Sequence, residues 1–122
     1  MRKNDEHNEQ CALLEWWRYK CHSFGVPENL LFAIPNGGAR NAITGAILKA
    51  EGVRAGVPDL FLACPNRYYS GLFVEMKKTK GGRVSDAQSE MRTLLMWAGY
   101  DVQICEGADK ARAVITDYLA KR

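Results

Sequence analysis

From residue 5 to residue 24 the apolar positions return with the period of a helix. At about 100° per residue, Gln10, Leu13, Leu14, Trp17, Cys21 and Phe24 share one stripe, which predicts an amphipathic helix ended by Gly25-Val26-Pro27. Glu6 falls on that stripe, Glu9 near its edge and Glu15 opposite; His7 lies off it and is expected to be exposed. Residues 30 to 34 then suggest a short strand and Pro35-Asn36-Gly37-Gly38 a turn, before a second helix over 41–50 that Gly52 stops. Next come two short apolar runs rich in Leu, Phe and Val, flanking a loop from Pro65 to Ser70, which predict a β-hairpin of two largely buried strands. Ser85-x-x-Gln88 has the form of a capping box and starts a third helix. Its inward stripe is expected to be Ala87, Met91, Leu94, Leu95 and Ala98, with Gly99 as its cap. A further core strand at 100–105, with Cys105 inside it, precedes a closing helix over 108–120 with Ala111, Val114, Ile115 and Leu119 inward. The order is helix, strand, helix, hairpin, helix, strand, helix, which predicts an α/β fold with a central mixed β-sheet flanked by helices.

Three charges interrupt the hairpin's apolar runs: Asp59, Glu75 and Lys77. If Asp59 opposes Glu75, then Phe61 falls opposite Phe73 and Ala63 opposite Gly71. Opposed residues share a face, with Cβ atoms roughly 4.5–5.5 Å apart. Lys77, two residues beyond Glu75, points to that face too, and Met76 points away. Two carboxylates so close repel unless a cation or a shared proton sits between them. Hard oxygen ligands suit Mg²⁺ or Mn²⁺. A plain surface salt bridge of Lys77 with either acid is the competing explanation, weakened here because the neighbours of all three residues call for burial.

Pro58-Asp59 followed by Glu75-Met76-Lys77 resembles the signature of the PD-(D/E)XK nucleases. The strings Gly52-Val53-Arg54-Ala55-Gly56-Val57-Pro58-Asp59 and Gly82-Arg83-Val84-Ser85-Asp86-Ala87-Gln88 narrow the likeness to the VRR-Nuc family, over nearly the whole chain from about Glu6 to Leu119. The resemblance implies a restriction-endonuclease-like core in a single domain over 1–122, and metal-dependent hydrolysis of DNA. It implies metal ligation by Asp59, Glu75 and the Met76 backbone carbonyl, with Lys77 at the attacking water. It also implies an additional acid from the first helix, acting on the metal directly or through water; Glu6-His7-x-x-Gln10 matches the family's helix pattern and favours Glu6 over Glu9. Gln88 acquires a place beside the active site, compatible with its capping role. Small stand-alone members look like structure-selective endonucleases resembling Holliday junction resolvases, often phage-encoded. That implies branched DNA as substrate and a homodimer, for which Trp16, Trp97, Tyr68 and Tyr69 offer apolar surface. The alternative is a non-catalytic or partner-dependent nucleic-acid-binding module of a repair complex; the presence of Asp59, Glu75 and Lys77 argues against loss of catalysis.

Composition changes this picture little. Hydrophobic and charged fractions of 47% and 25% are those of an ordinary globular protein, and a net charge of +3 argues only weakly for a polyanionic partner. Its distribution says more. Residues 76–83 hold Lys77, Lys78, Lys80 and Arg83 with no acid, and residues 40–54 hold Arg40, Lys49 and Arg54 against Glu51. Arg40, Arg54, Lys78, Lys80 and Arg83 are the candidates for holding phosphates, which supply affinity without sequence information. The glycines near Arg40 need no more reason than a tight turn. Cys11, Cys21, Cys64 and Cys105 show no metal-binding spacing; Cys21, Cys64 and Cys105 are expected as buried free thiols, Cys64 within a strand, as in a reducing cytosol. No run approaches the ~18 apolar residues of a membrane span, and Met1 to Gln10 is polar. Neither membrane nor secretion is therefore expected; the cytoplasm of a bacterial or phage-infected cell is.

Overall fold

A computed structural model of the chain describes residues 5–35, 42–78 and 82–122, so the Asn36-Gly37-Gly38 turn, Arg40 and Lys80 lie outside the described residues. The first apolar stripe becomes α1, Asp5–Phe24, which buries Leu13, Trp17 and Cys21 completely. The Trp17 indole N–H donates to the Glu28 carbonyl at 2.9 Å, so the ring's single polar atom is satisfied inside the core. A 3-10 turn at Glu28–Leu30, unannounced by the pattern, leads into β1, Leu31–Ala33. After α2, Ala42–Ala50, come β2, Leu60–Leu62, and β3, Leu72–Lys77. These last two pair antiparallel with Phe61 opposite Phe73, which is the expected register. The crossover helix α3, Asp86–Trp97, returns the chain so that β4, Asp101–Glu106, lies parallel to β3, and α4, Ala108–Leu119, follows. The sheet order is β1-β2-β3-β4, mixed and flanked by helices as the element order implied.

Strand alternation divides the sheet into two unlike faces. Leu60, Leu62, Leu72, Val74, Met76 and Cys105 lie in one core with Leu13 and Trp17 of α1 and Ala111, Ile115 and Leu119 of α4. Each large apolar side chain so buried stabilises by roughly 1.5–3 kcal/mol, and this side anchors the fold. Tyr118 belongs to the same core although the closing helix's pattern did not flag it; its hydroxyl donates to the Cys64 carbonyl at 2.7 Å. The other face carries Phe61, Phe73, Glu75, Lys77 and Val102.

Four expectations are corrected. In α3, Ala87, Met91 and Leu95 are only half-buried, while Ala98 is exposed and Leu94 is 59% exposed. The helix packs on β4 at the sheet's margin, and its apolar stripe is wider than the surface available to cover it. Cys64 is half-buried and outside the strand. The ladder ends at Leu62–Leu72, short of an Ala63–Gly71 pair, and beyond it Asn66 gathers the Tyr68 and Tyr69 N–H groups into a turn. Trp16 is not spare surface: it packs against Trp17 and Phe24 at 6.3 Å. Tyr69 likewise packs on the core, whereas Tyr68 and Trp97 stand exposed. Cys21 and Cys105 are buried free thiols as expected, and Cys11 is free and exposed. Among the described residues no helix is long and apolar enough to cross a membrane.

Candidate active site

Two ionisable side chains on β3 are buried, Glu75 at 5% exposure and Lys77 at 9%. They are two residues apart on one face, yet their charged ends stand 3.8 Å apart, too far for a good hydrogen bond. Gln88 of α3 fills the gap. Its Oε1 accepts from Lys77 Nζ at 2.9 Å, and its Nε2 donates to Glu75 Oε2 at 2.8 Å. The same Oε1 accepts the Ser85 N–H at 2.9 Å, while the Gln88 N–H donates to Ser85 Oγ at 3.1 Å. The capping box and the contact with the two charges therefore coexist in one side chain.

What sets the position of that helix start is a glycine. Gly56 has φ +85, and a Cβ there would lie 2.2 Å from the Ala87 carbonyl oxygen. The segment that delivers Asp59 thus presses its bare backbone onto the first turn of α3.

Asp59 stands one residue before β2, opposite Glu75 by extension of the register. Its Oδ2 accepts the Met76 N–H at 2.8 Å, where β2 no longer supplies a ladder partner. The Lys77 carbonyl accepts from Gly107 at 3.1 Å on the β4 side. Since successive residues along a strand turn their amide groups to opposite sides, the Met76 carbonyl faces the β2 side, toward Asp59.

The electrostatics follow from this crowding. The Glu75 carboxyl is pushed up from 4.5 to about 8, first by burial and next by the negative charge of Asp59. Lys77 opposes the rise, while a hydrogen bond with Asp59 and the charge of Glu6 add to it. A buried carboxyl with a half-buried, incompletely compensated carboxylate beside it is a fit place for a divalent cation. Among the described residues no group of three or more His, Cys, Asp and Glu side chains could hold a metal, so a cation here would rely on the two acids, backbone oxygen and water.

Two acids of α1, Glu6 and Glu9, have separate roles. Glu9 Oε1 accepts the Ala108 N–H at 2.6 Å, binding to the start of α4, whose N-cap residue Gly107 has no side chain. Glu6 is exposed and near enough to Glu75 to raise its pKa. Of the basic candidates, Arg54 and Arg83 are exposed and Lys78 is half-buried. Lys110, which the charge runs did not single out, joins Lys77, Gly82, Val84, Ile104 and Glu106 around a cavity of about 270 Å³. Its only signal in the chain is its place in the first turn of the closing helix.

A mixed sheet that brings an Asp, a Glu and a Lys to one face at the ends of antiparallel neighbours, with crossover helix and parallel fourth strand, has the architecture of a PD-(D/E)XK nuclease core. The VRR-NUC domain profile matches residues 2–109. The chain belongs to that family, a nuclease-type domain. A solved structure described as a VRR_NUC domain protein superposes with a TM-score of 0.84 at 27% sequence identity, covering 96% of this chain and 89% of that one. No curated protein gives a significant match.

Proposed function

We propose that this chain is a Mg²⁺- or Mn²⁺-dependent endonuclease that hydrolyses DNA phosphodiester bonds, selects branched DNA such as four-way junctions, and works as a homodimer. The observation that carries the catalytic part is the joining of Lys77 to Glu75 through Gln88, with Asp59 fastened beside them on the Met76 N–H. Asp59, Glu75 and the Met76 carbonyl would hold the cation, with Glu6 acting through water. A divalent ion in such a place lowers the pKa of water and offsets charge on the phosphoryl group. Lys77 directs a buried ammonium to the same place, orienting the attacking water and offsetting charge that builds on the phosphorus oxygens. Gln88 holds that ammonium and Glu75 in fixed relation, so neither swings away as charge develops. Arg54, Lys78 and Arg83 would hold flanking phosphates, as would Arg40 and Lys80. The branched-DNA and dimer parts rest on the resemblance to small junction-cutting members of the family, and on the exposed aromatic surface of α3.

The test is a panel of end-labelled linear, single-stranded, flap and four-way-junction DNAs, each with Mg²⁺, with Mn²⁺ and with EDTA. Cleavage is expected only with metal and fastest on the junction. Asp59→Asn is expected to abolish it while the protein stays folded, since removing the charge also relieves the repulsion with Glu75. Near-wild-type cleavage by that variant would sink the catalytic assignment. Equal rates on linear and branched DNA would remove only the selectivity.

A further inference from the structure

Two residues from each acid, the carboxylate face turns aromatic. Phe61 lies two residues from Asp59 and Phe73 two from Glu75, so alternation places all four on one side of the sheet. The two rings stack with centroids 4.4 Å apart. Tyr100 meets both edge-on, and Phe32 of β1 stands edge-on to Phe61 at 5.8 Å. Among the described residues these four are not part of the core beneath α1 and α4. Phe32, on the edge strand, is 43% exposed. Two residues on, Ile34 lies across from Asp59 and donates its N–H to the Asp59 carbonyl at 2.7 Å. With Val53 and Val57, Ile34 lines a shallow cavity of about 290 Å³ that has Arg54 in its wall. An apolar strip therefore runs beside the first carboxylate, from Phe61 and Phe32 to Ile34, and ends at a guanidinium.

We infer that this strip is a subsite for an unpaired nucleobase next to the phosphate that is cut. The inference rests on the nuclease reading and deepens it by stating what part of a branched substrate is recognised. Inside a duplex both faces of a base are covered by its neighbours, and a protein ring gains little from it. A base freed at a branch, bulge or flap offers its π-face, and stacking on an aromatic side chain is then favourable whatever the base. The strip is continuous with Asp59, so a base seated on it belongs to the nucleotide beside the reacting phosphate. Arg54 suits that nucleotide's own charge. The strip beside the phosphate-cutting site is thereby given one occupant, DNA with a nucleotide out of the stack.

The test compares two duplexes of one sequence, one fully paired and one with a single unpaired 2-aminopurine beside the cleavage position. Both are bound with Ca²⁺, a hard cation that carboxylates accept. The wild-type protein is expected to quench the 2-aminopurine and to bind the bulged duplex more tightly. Phe32→Ala is expected to lose about tenfold more affinity for the bulged than for the paired duplex, within the range for removing one base–aromatic stack. Phe32→Trp should restore it, and thermal melting checks that both variants fold. Equal losses on the two duplexes, or no loss, overturn the subsite. A change of sedimentation with Phe32→Ala overturns it as well, by assigning the strip to a second copy of the chain. Failure of the underlying reading is recognised separately: the wild-type protein would then cleave none of the DNAs with any metal.

Discussion

Glu75 keeps a proton that an ordinary glutamate has lost by neutral pH. Burial and Asp59 push its pKa up to about 8, above the 4.5 it returns to on unfolding. Between those values the folded protein binds the proton and the unfolded chain does not, so stability falls as pH rises through that window. The contribution is fully present below about 4.5 and gone above about 8. The slope has an upper bound of about 1.4 kcal/mol per pH unit. Urea unfolding in EDTA at pH 5, 6, 7 and 8 should show this decline. Asp59→Asn should flatten it, because it removes the second-largest cause. Saturating Mg²⁺ should also flatten it, with release of a proton that calorimetry in buffers of different ionisation heat can count. A profile without slope in the metal-free wild-type protein would mean that the two acids do not share one field.

Between elements, the critical joint is the one between the 52–58 segment and α3. Ser85 starts the helix and Gln88 completes its cap, but where that start lies relative to β3 depends on the bare backbone of Gly56. Gly56→Ala should destabilise by about 1–3 kcal/mol, since φ +85 is strained for an L side chain and the new Cβ runs into the Ala87 carbonyl. It should also lower single-turnover cleavage at saturating enzyme by at least about tenfold, although residue 56 has no group to give to the chemistry. The physical reason is displacement of Gln88, which releases Lys77 and Glu75 from their common tie. Loss of stability with an unchanged rate would show that this joint does not position the site. Glu9 is a second joint of the same kind, between α1 and α4, and it leaves Glu6 as the acid nearer the cluster.

At the scale of the molecule, α3 keeps part of its apolar stripe in solvent. Trp97, 87% exposed, and Leu94 lie three residues apart on α3 and so on one of its faces. A two-fold dimer through this surface would bury both residues twice and bring two sites to one junction. Sedimentation should give the mass of two 13.7 kDa chains, and Trp97→Ser should give one, with the far-ultraviolet circular dichroism unchanged. With a supercoiled plasmid that extrudes a cruciform, the dimer should yield linear product with little free nicked circle, and the variant should release nicked circles first. A wild-type monomer that also nicks first would remove the dimer and leave the nuclease in place.

Much of this was legible along the chain because it is set by short-range periodicity. The α1 stripe, the Ser85–Gln88 cap and the order of elements each follow from residues a few positions apart. The hairpin register followed as well: a slip of one residue would turn Phe61 and Phe73 to the wrong face, and Asp59 and Glu75 with them. Other features depend on how elements dock, which no local pattern encodes. The α3 stripe shows what that helix could bury, but the margin of the sheet supplies too little surface, and Leu94 stays in solvent. The bridge from Lys77 through Gln88 to Glu75 joins residues eleven and thirteen apart by a crossover whose resting place is set at Gly56. Sequence by itself determined which residues carry charge into the sheet and on which face. Only the tertiary structure decided how far Glu75 is removed from water, because desolvation belongs to the packing around a side chain and not to its neighbours in the chain.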